Sequence, residues 1–413
     1  MEAENKIQKD KLWTKEYIAM TALAFFLSVS LNITGTVTPL FAKHLGGDLS
    51  TLGLVVAFFT VSALVFRPYF GNMLDKKGRK LTIIIGGIIF SAVTLAYGIA
   101  LSVVGLLALR FLHGLGFSAH STAAGTIVAD IVPKSRLTEG VGFFGISHTL
   151  AMALGPLIGL NLLEYRGFNE VFILAAVLGV ISVVIALSLK LGNDSKREQV
   201  DEDNEHKILA GNSTIQSSII EKSAIPASLV LLFIALTLGA VITFLPVFAL
   251  SRGIGDIGIF FTVFALVQLV ARPLTGRLAD KFGFSAIMLP GLAFMAISMI
   301  ILAFASNLGM FVAAGLTYGL GFGSVQPTLN AIMIKLCPPE RRGVGNATFF
   351  SAMDIGIGTG AILWGVVSQL AGFTYVFIGA ALCIVVALVM YILKLDKQII
   401  LSNHKTAESA SNF

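Results

Sequence analysis

Apolar runs of about 20 residues, the length that carries a helix across ~30 Å of hydrocarbon, recur along almost the whole chain. They fall at 17–41, 52–70, 81–101, 104–129, 140–163 and 170–190, and the series begins again at 225–250, 257–279, 285–306, 308–335, 343–370 and 373–394. The pattern predicts an all-α membrane protein of twelve transmembrane helices, six in each half. Between the sixth and seventh runs it breaks: Gly192 to Lys222 carries Asp201, Glu202, Asp203 and Glu205 among Ser, Asn and Gln, which cannot build a packed core. The expected organisation is a six-helix half at 1–190, a cytoplasmic linker at 191–224, a second six-helix half at 225–395 and a cytoplasmic tail at 396–413.

The halves are copies. GNMLDKKGRK at Gly71 to Lys80, preceded by Arg67 and Pro68, returns as GRLADKFG at Gly276 to Gly283, preceded by Arg272 and Pro273. TPLF at Thr38 to Phe41 answers LPVF at Leu245 to Phe248. GLGF at Gly114 to Phe117 answers GLGF at Gly319 to Phe322, and Pro133 and Arg136 answer Pro338 and Arg341. Two matching membrane halves place a solute path along their shared interface, so the informative positions are those where the copies differ in charge.

Composition narrows the class. Of 413 residues 56% are hydrophobic and 13% charged, a balance that requires the bilayer as solvent. Lys6, Lys9, Lys11, Lys15, Lys76, Lys77, Arg79, Lys80, Lys134, Arg136, Arg277, Lys281, Arg341, Arg342 and Lys397 fall on the face that holds both termini, against little more than Lys43, Arg166 and Arg252 on the other. The positive-inside rule makes the first face cytoplasmic. The net charge of +6 then follows from topology, without a nucleic-acid partner. The first run is too long for a signal-peptide core and is expected to be retained. Cys337 and Cys383 alone frame neither a disulfide scaffold nor a metal site, and no nucleotide-binding loop points to an enzyme or an ATP-driven pump. No cofactor or metal is expected.

Ionisable groups inside the runs carry the chemistry. Asp354 lies about eleven residues into its run, ~16 Å deep at 1.5 Å per residue, where desolvation favours a protonated carboxyl unless a cation approaches. Aligning Phe143 and Phe144 with Phe349 and Phe350 sets His148 opposite Asp354. Arg110 sits six or seven residues from the outer end of the fourth run, with His113 and His120 near the same face. An arginine there must meet water, a partner or a solute, or snorkel outward. Membrane histidines are proton relays or structural hydrogen-bonding groups. Asp75, on a short inner loop beside Gly71, Gly78 and Arg79, can approach a helix N-terminus, where free amides favour negative charge; the adjacent lysines and arginines also serve as topology anchors.

These residues resemble the major facilitator superfamily over essentially the whole chain, and within it the twelve-helix drug:proton antiporter branch. The loop signature matches at Gly71, Asp75, Gly78, Arg79 and Lys80, with Leu74 in place of a small residue, and its echo at Gly276, Asp280 and Gly283. The resemblance implies that these residues form a conformational latch whose Asp75 meets the eleventh helix. It also implies that Arg110 belongs to a helix-four arginine motif associated with proton coupling, here together with Asp354, His148, His113 and His120. Gly142, Gly155, Pro156 and Gly159 are similar to the glycine-proline pattern of exporters, although Ala151 and Leu160 replace further glycines; tight helix packing explains the same residues. Helices one, four, seven and ten would line the cavity, which makes Asn32, Thr243, Gln268, Tyr318, Gln326 and Asn330 candidate substrate contacts, or interhelical hydrogen-bond glue.

The expected function is secondary active transport: proton-coupled antiport that exports a small amphipathic organic molecule by alternating access, from a monomer in the cell membrane. The 31 phenylalanines suit an apolar solute, and the first run lacks the acidic residue that many drug exporters carry. Alternatives are uptake, transport of a specific metabolite such as a sugar or metallophore, or a non-pumping sensor or lipid-handling homologue.

Overall fold

The computed structural model describes residues 11–133, 136–189, 221–338 and 341–395, less the side chains of 75, 129, 137–139, 141–142, 273, 277, 280 and 343. The expected linker up to 220 and the tail 396–413 lie outside the described residues. Twelve long helices follow one another: α1 (Lys15–His44), α2 (Leu49–Lys77), α3 (Arg79–Ala96), α4 (Val103–Ile131), α5 (Leu137–Arg166), α6 (Phe168–Ser188), α7 (Ile225–Ser251), α8 (Gly258–Phe282), α9 (Ser285–Ala303), α10 (Leu308–Leu336), α11 (Arg342–Leu370) and α12 (Phe373–Met390). No strand occurs among the described residues. Eleven of these helices are long and apolar enough to cross a membrane. Among its described residues α8 adds the apolar stretch Gly258–Arg272.

Local chemistry repeats with the fold. Ser102 and Asn307 start α4 and α10 by accepting from the amides of Gly105 at 3.2 Å and Met310 at 3.0 Å, satisfying donors that a helix start leaves open. The positive-φ residues are all glycines and form three equivalent pairs: Gly46 and Gly253, Gly78 and Gly283, Gly167 and Gly372. At Gly78 and Gly283, φ is 87° and 86°, a backbone that a side chain disfavours, so each signature loop turns directly into the next helix.

Packing obeys the same permutation. In the first half α1 packs on α5 and α6, α2 on α4, and α3 on α4 and α6; in the second α7 packs on α11 and α12, α8 on α10, and α9 on α10 and α12. Glycines let the backbones approach: a methyl on Gly114 would strike the Phe59 carbonyl, and one on Gly319 would meet the Phe264 carbonyl at 2.8 Å. Close contact of this kind holds membrane helices together, because lipid gives them no hydrophobic reason to associate. Around the outside, Ile173, Val177, Val180, Val184 and Leu187 form an exposed apolar stripe on α6, which only hydrocarbon solvates well.

The halves meet through α2 with α11 and α5 with α8. Leu40, Leu52 and Leu160 of the first half join the buried core of the second, beside Phe244 and Phe248. Where the chain enters the second half, Glu221 pairs with Arg341 and accepts from Ser223. The Arg341 guanidinium, helped by Ser223, holds the Glu221 carboxyl down to about 2 from its ordinary 4.5. The carboxylate thus ties residues 221–224 to the loop before α11.

Candidate functional site

The seam between α2 and α11 is antiparallel and ends in charge. Ser50 hydrogen-bonds Gln369, Gly53 lies under the Ala361 carbonyl, and Thr60 packs on Gly358. Deeper along the same two helices, Arg67 Nη2 contacts Asp354 Oδ2 at 2.8 Å. The side chains keep 29% and 23% of their surface accessible, so the pair is part-buried rather than sealed in a core. An ion pair therefore bridges the two halves near the middle of the helices.

The α5–α8 seam is the symmetry mate. Gly258 sits on Leu157, and deeper in, α5 carries His148 and α8 carries Arg272. Since 272 and 67 are equivalent, as are 148 and 354, the repeat places Arg with Asp on one side and Arg with His on the other. His148 is exposed. Its Nδ1 lies 3.4 Å from Ser28 Oγ. Arg272 Nη2 reaches Gln326 Oε1 at 3.5 Å, and its buried Nε has no partner.

The cation on Asp354 is Arg67, and Arg110 lies elsewhere. Arg110 is 2% exposed and neither snorkels nor meets a carboxylate among the described residues. It donates from Nε to the Val55 carbonyl at 3.1 Å and lies over the Phe59 ring at 5.2 Å. His113, buried beside it, contacts Thr94 Oγ1 at 3.0 Å and the Tyr97 hydroxyl at 2.9 Å. Thr94 gives its own proton to the Phe90 carbonyl at 2.8 Å, so it accepts from Nε2–H, leaving Nδ1 to accept from Tyr97. His120 is buried against Ser182, 3.3 Å away. Both histidines belong to the packing of the first half, so the structure does not bring them to His148 or Asp354. Nor are His148 and Asp354 one pair, since Asp354 meets Arg67 and His148 meets Ser28.

The remaining candidates divide. Asn32 donates to the Ser28 carbonyl at 2.8 Å, and its Cβ lies under Gly155. Tyr318 is fully buried with its hydroxyl 2.8 Å from Thr237. Asn330 donates to Asn346 at 3.1 Å, joining α10 to α11. Thr243 and Gln268 are buried, and neither the Thr243 hydroxyl nor either amide atom of Gln268 has a partner. Gly155 and Gly159 seat α5 on Asn32 and Ile33 of α1, and Pro156 is buried between them. The side position of Gly142 lies outside the described residues. The signature lies on helix ends rather than on a loop: Gly71 and position 75 fall within α2 and Gly276 within α8, Gly71 and Gly276 have open space above them, and Arg79, which starts α3, pairs with Asp130 at 2.6 Å within its own half. The side chains of Asp75 and Asp280 lie outside the described residues, and with them the expected latch contact.

Arg67 and Arg272 are the candidate site residues that the reading from sequence missed. Both stood out only as repeat markers, although an arginine within an apolar run is itself a signal.

The family model of the Major Facilitator Superfamily matches residues 20–256 and 227–410. The chain belongs to this superfamily. A relative named staphylopine export protein, from Staphylococcus aureus strain Mu50, is 24% identical and covers 91% of this chain and 94% of its own. The multidrug resistance protein MdtG of Escherichia fergusonii is 23% identical, covering 92% and 94%. Among solved structures, a POT family transporter in complex with 5-aminolevulinic acid aligns with TM-score 0.74 at 15% identity, covering 91% and 95%. A bacterial homologue of the lysosomal transporter Spinster, inward-facing and occupied, aligns with TM-score 0.72 at 16% identity, covering 94% and 97%. These structures establish the fold. The protein is a multi-span membrane transporter of the major facilitator type, not an enzyme.

Proposed function

We propose that this major facilitator protein is a proton-coupled antiporter that exports a small amphipathic organic molecule by alternating access, in the cell membrane with both termini cytoplasmic. The observation that carries the reading is the Arg67–Asp354 pair between α2 and α11. An antiporter must not return empty and deprotonated, because that step would dissipate the gradient. A carboxylate ion-paired across the halves locks that forbidden form. Protonating Asp354 removes its charge and releases α2 from α11; a solute that competes for either group releases it as well. Loaded or protonated, the carrier moves; empty, it is held.

The rest of the site fits this cycle. Leu40, Leu52 and Leu160 close the face opposite the chain termini with apolar contacts, which separate without leaving unpaired polar groups. Asp75 then acts as a second latch on the terminal face, against the start of α11. The relatives named for multidrug resistance favour a broad amphipathic range. The relative named for staphylopine export favours a second reading, one dedicated metabolite of metallophore type.

The test is substrate-dependent proton movement in proteoliposomes across dyes, antibiotics, sugars and metallophores. Proton release tied to several amphipaths supports the first reading, and to one metallophore the second. Solute flux with no proton movement for any of them contradicts antiport.

A further inference from the structure

We propose an anion subsite on α8, the helix that packs against α5, in which Arg272, beside Gln326 of α10, receives the carboxylate of an amphipathic substrate. This rests on the transport reading and adds the substrate's charge to it. The repeat supplies the first argument. Two equivalent arginines face the two seams, but only Arg67 meets a carboxylate. At the position equivalent to Asp354, the chain carries His148.

The state of Arg272 supplies the second. Among the described residues no carboxylate lies within ion-pair distance of it, its one hydrogen bond is the 3.5 Å contact to Gln326, and its buried Nε is unpartnered. An arginine with that much unused capacity in a membrane interior is costly unless a solute completes it. A carboxylate matches the guanidinium fork in charge and in geometry. Gln268, one turn earlier on the same face of α8, adds an amide with neither atom partnered. Along the seams Arg67 and Asp354 cancel, so the positive charge of Arg272 remains. With Asn32 rather than an acid on α1, this balance selects amphipathic acids or zwitterions over simple organic cations.

The subsite is tested by fluorescence titration of the full-length protein in phosphatidylcholine nanodiscs with dansylglycine, a carboxylate, and dansylglycinamide, its neutral counterpart. Wild type is expected to prefer the carboxylate at least tenfold, equivalent to about 1.4 kcal/mol. Arg272→Gln should reduce the preference to about twofold or less while leaving the amide's affinity in place, which also reports folding. Should the Gln variant not fold, Arg272→Lys, which keeps the charge and loses the fork, should show an intermediate preference. Equal binding of the two probes by wild type, no binding of dansylglycine, or an undiminished preference in the folded variants overturns the proposal. Competition by phosphatidylglycerol in the nanodisc, with the same dependence on Arg272, assigns the site to lipid headgroups and overturns its substrate role. The preference is read from binding alone, without transport. Binding without proton movement would therefore sink the antiport reading and leave the subsite standing, and the reverse result would do the opposite.

Discussion

Removing the Arg67–Asp354 pair should release the two halves, and a double-mutant cycle measures by how much. At 2.8 Å, two unit charges attract by ~6 kcal/mol at an effective dielectric of about 20. The side chains are 29% and 23% exposed, so solvent screens part of this. Exposed pairs contribute roughly 0–1 kcal/mol, and truncating one partner of a buried pair costs about 3–5 kcal/mol; a coupling of ~1–3 kcal/mol lies between. That changes the ratio of access states about 5- to 150-fold. Spin labels at Leu101 and Phe304, both exposed on the face opposite the termini, read the separation of the halves by pulsed dipolar spectroscopy. Arg67→Gln and Asp354→Asn should each lengthen that distance distribution, and the double variant should add little. If the two single effects sum to within ~0.5 kcal/mol, as for independent sites, the pair does not hold the halves together.

Three further outcomes follow from separate parts of the fold. Gly53→Val should separate the same labels, because its side chain would meet the Ala361 carbonyl; an unchanged distance would place α2 elsewhere. Tyr97→Phe should cost about 1–3 kcal/mol in chemical denaturation by leaving His113 short of its 2.9 Å partner, and an unaffected midpoint would contradict that network. Glu221→Gln should lower the melting temperature at pH 7. A carboxyl held down to about 2 from 4.5 contributes stability that is present above pH 4.5 and lost as pH falls towards 2, so the gap between variant and wild type should close over that window, and a gap independent of pH would refute the assignment.

Much of this architecture was readable from residue spacing. Twelve apolar runs and an offset repeat gave twelve helices in two equivalent bundles, and the alignment that set His148 opposite Asp354 carried over to the two seams. Contacts between the halves were not readable, because nothing in the periodicity of α2 says that Arg67 faces α11. The resemblance grouped Arg110 with Asp354, whereas the fold sets that arginine on the Val55 carbonyl and the Phe59 ring inside the first half. His113 and His120 misled for a related reason: a shared face of α4 turned out to face α2, α3 and α6 in tight packing.

The central claim is that Asp354 carries the proton, and the most direct test compares wild type with Asp354→Asn in proteoliposomes under an imposed pH gradient. With a substrate identified in the panel, wild type should accumulate it against its gradient with stoichiometric proton movement. The variant keeps the shape of the side chain without its charge, and should equilibrate the substrate downhill with no proton movement and no accumulation. Wild-type accumulation in Asp354→Asn would show that the proton travels by another group, and the account of this transporter would fail.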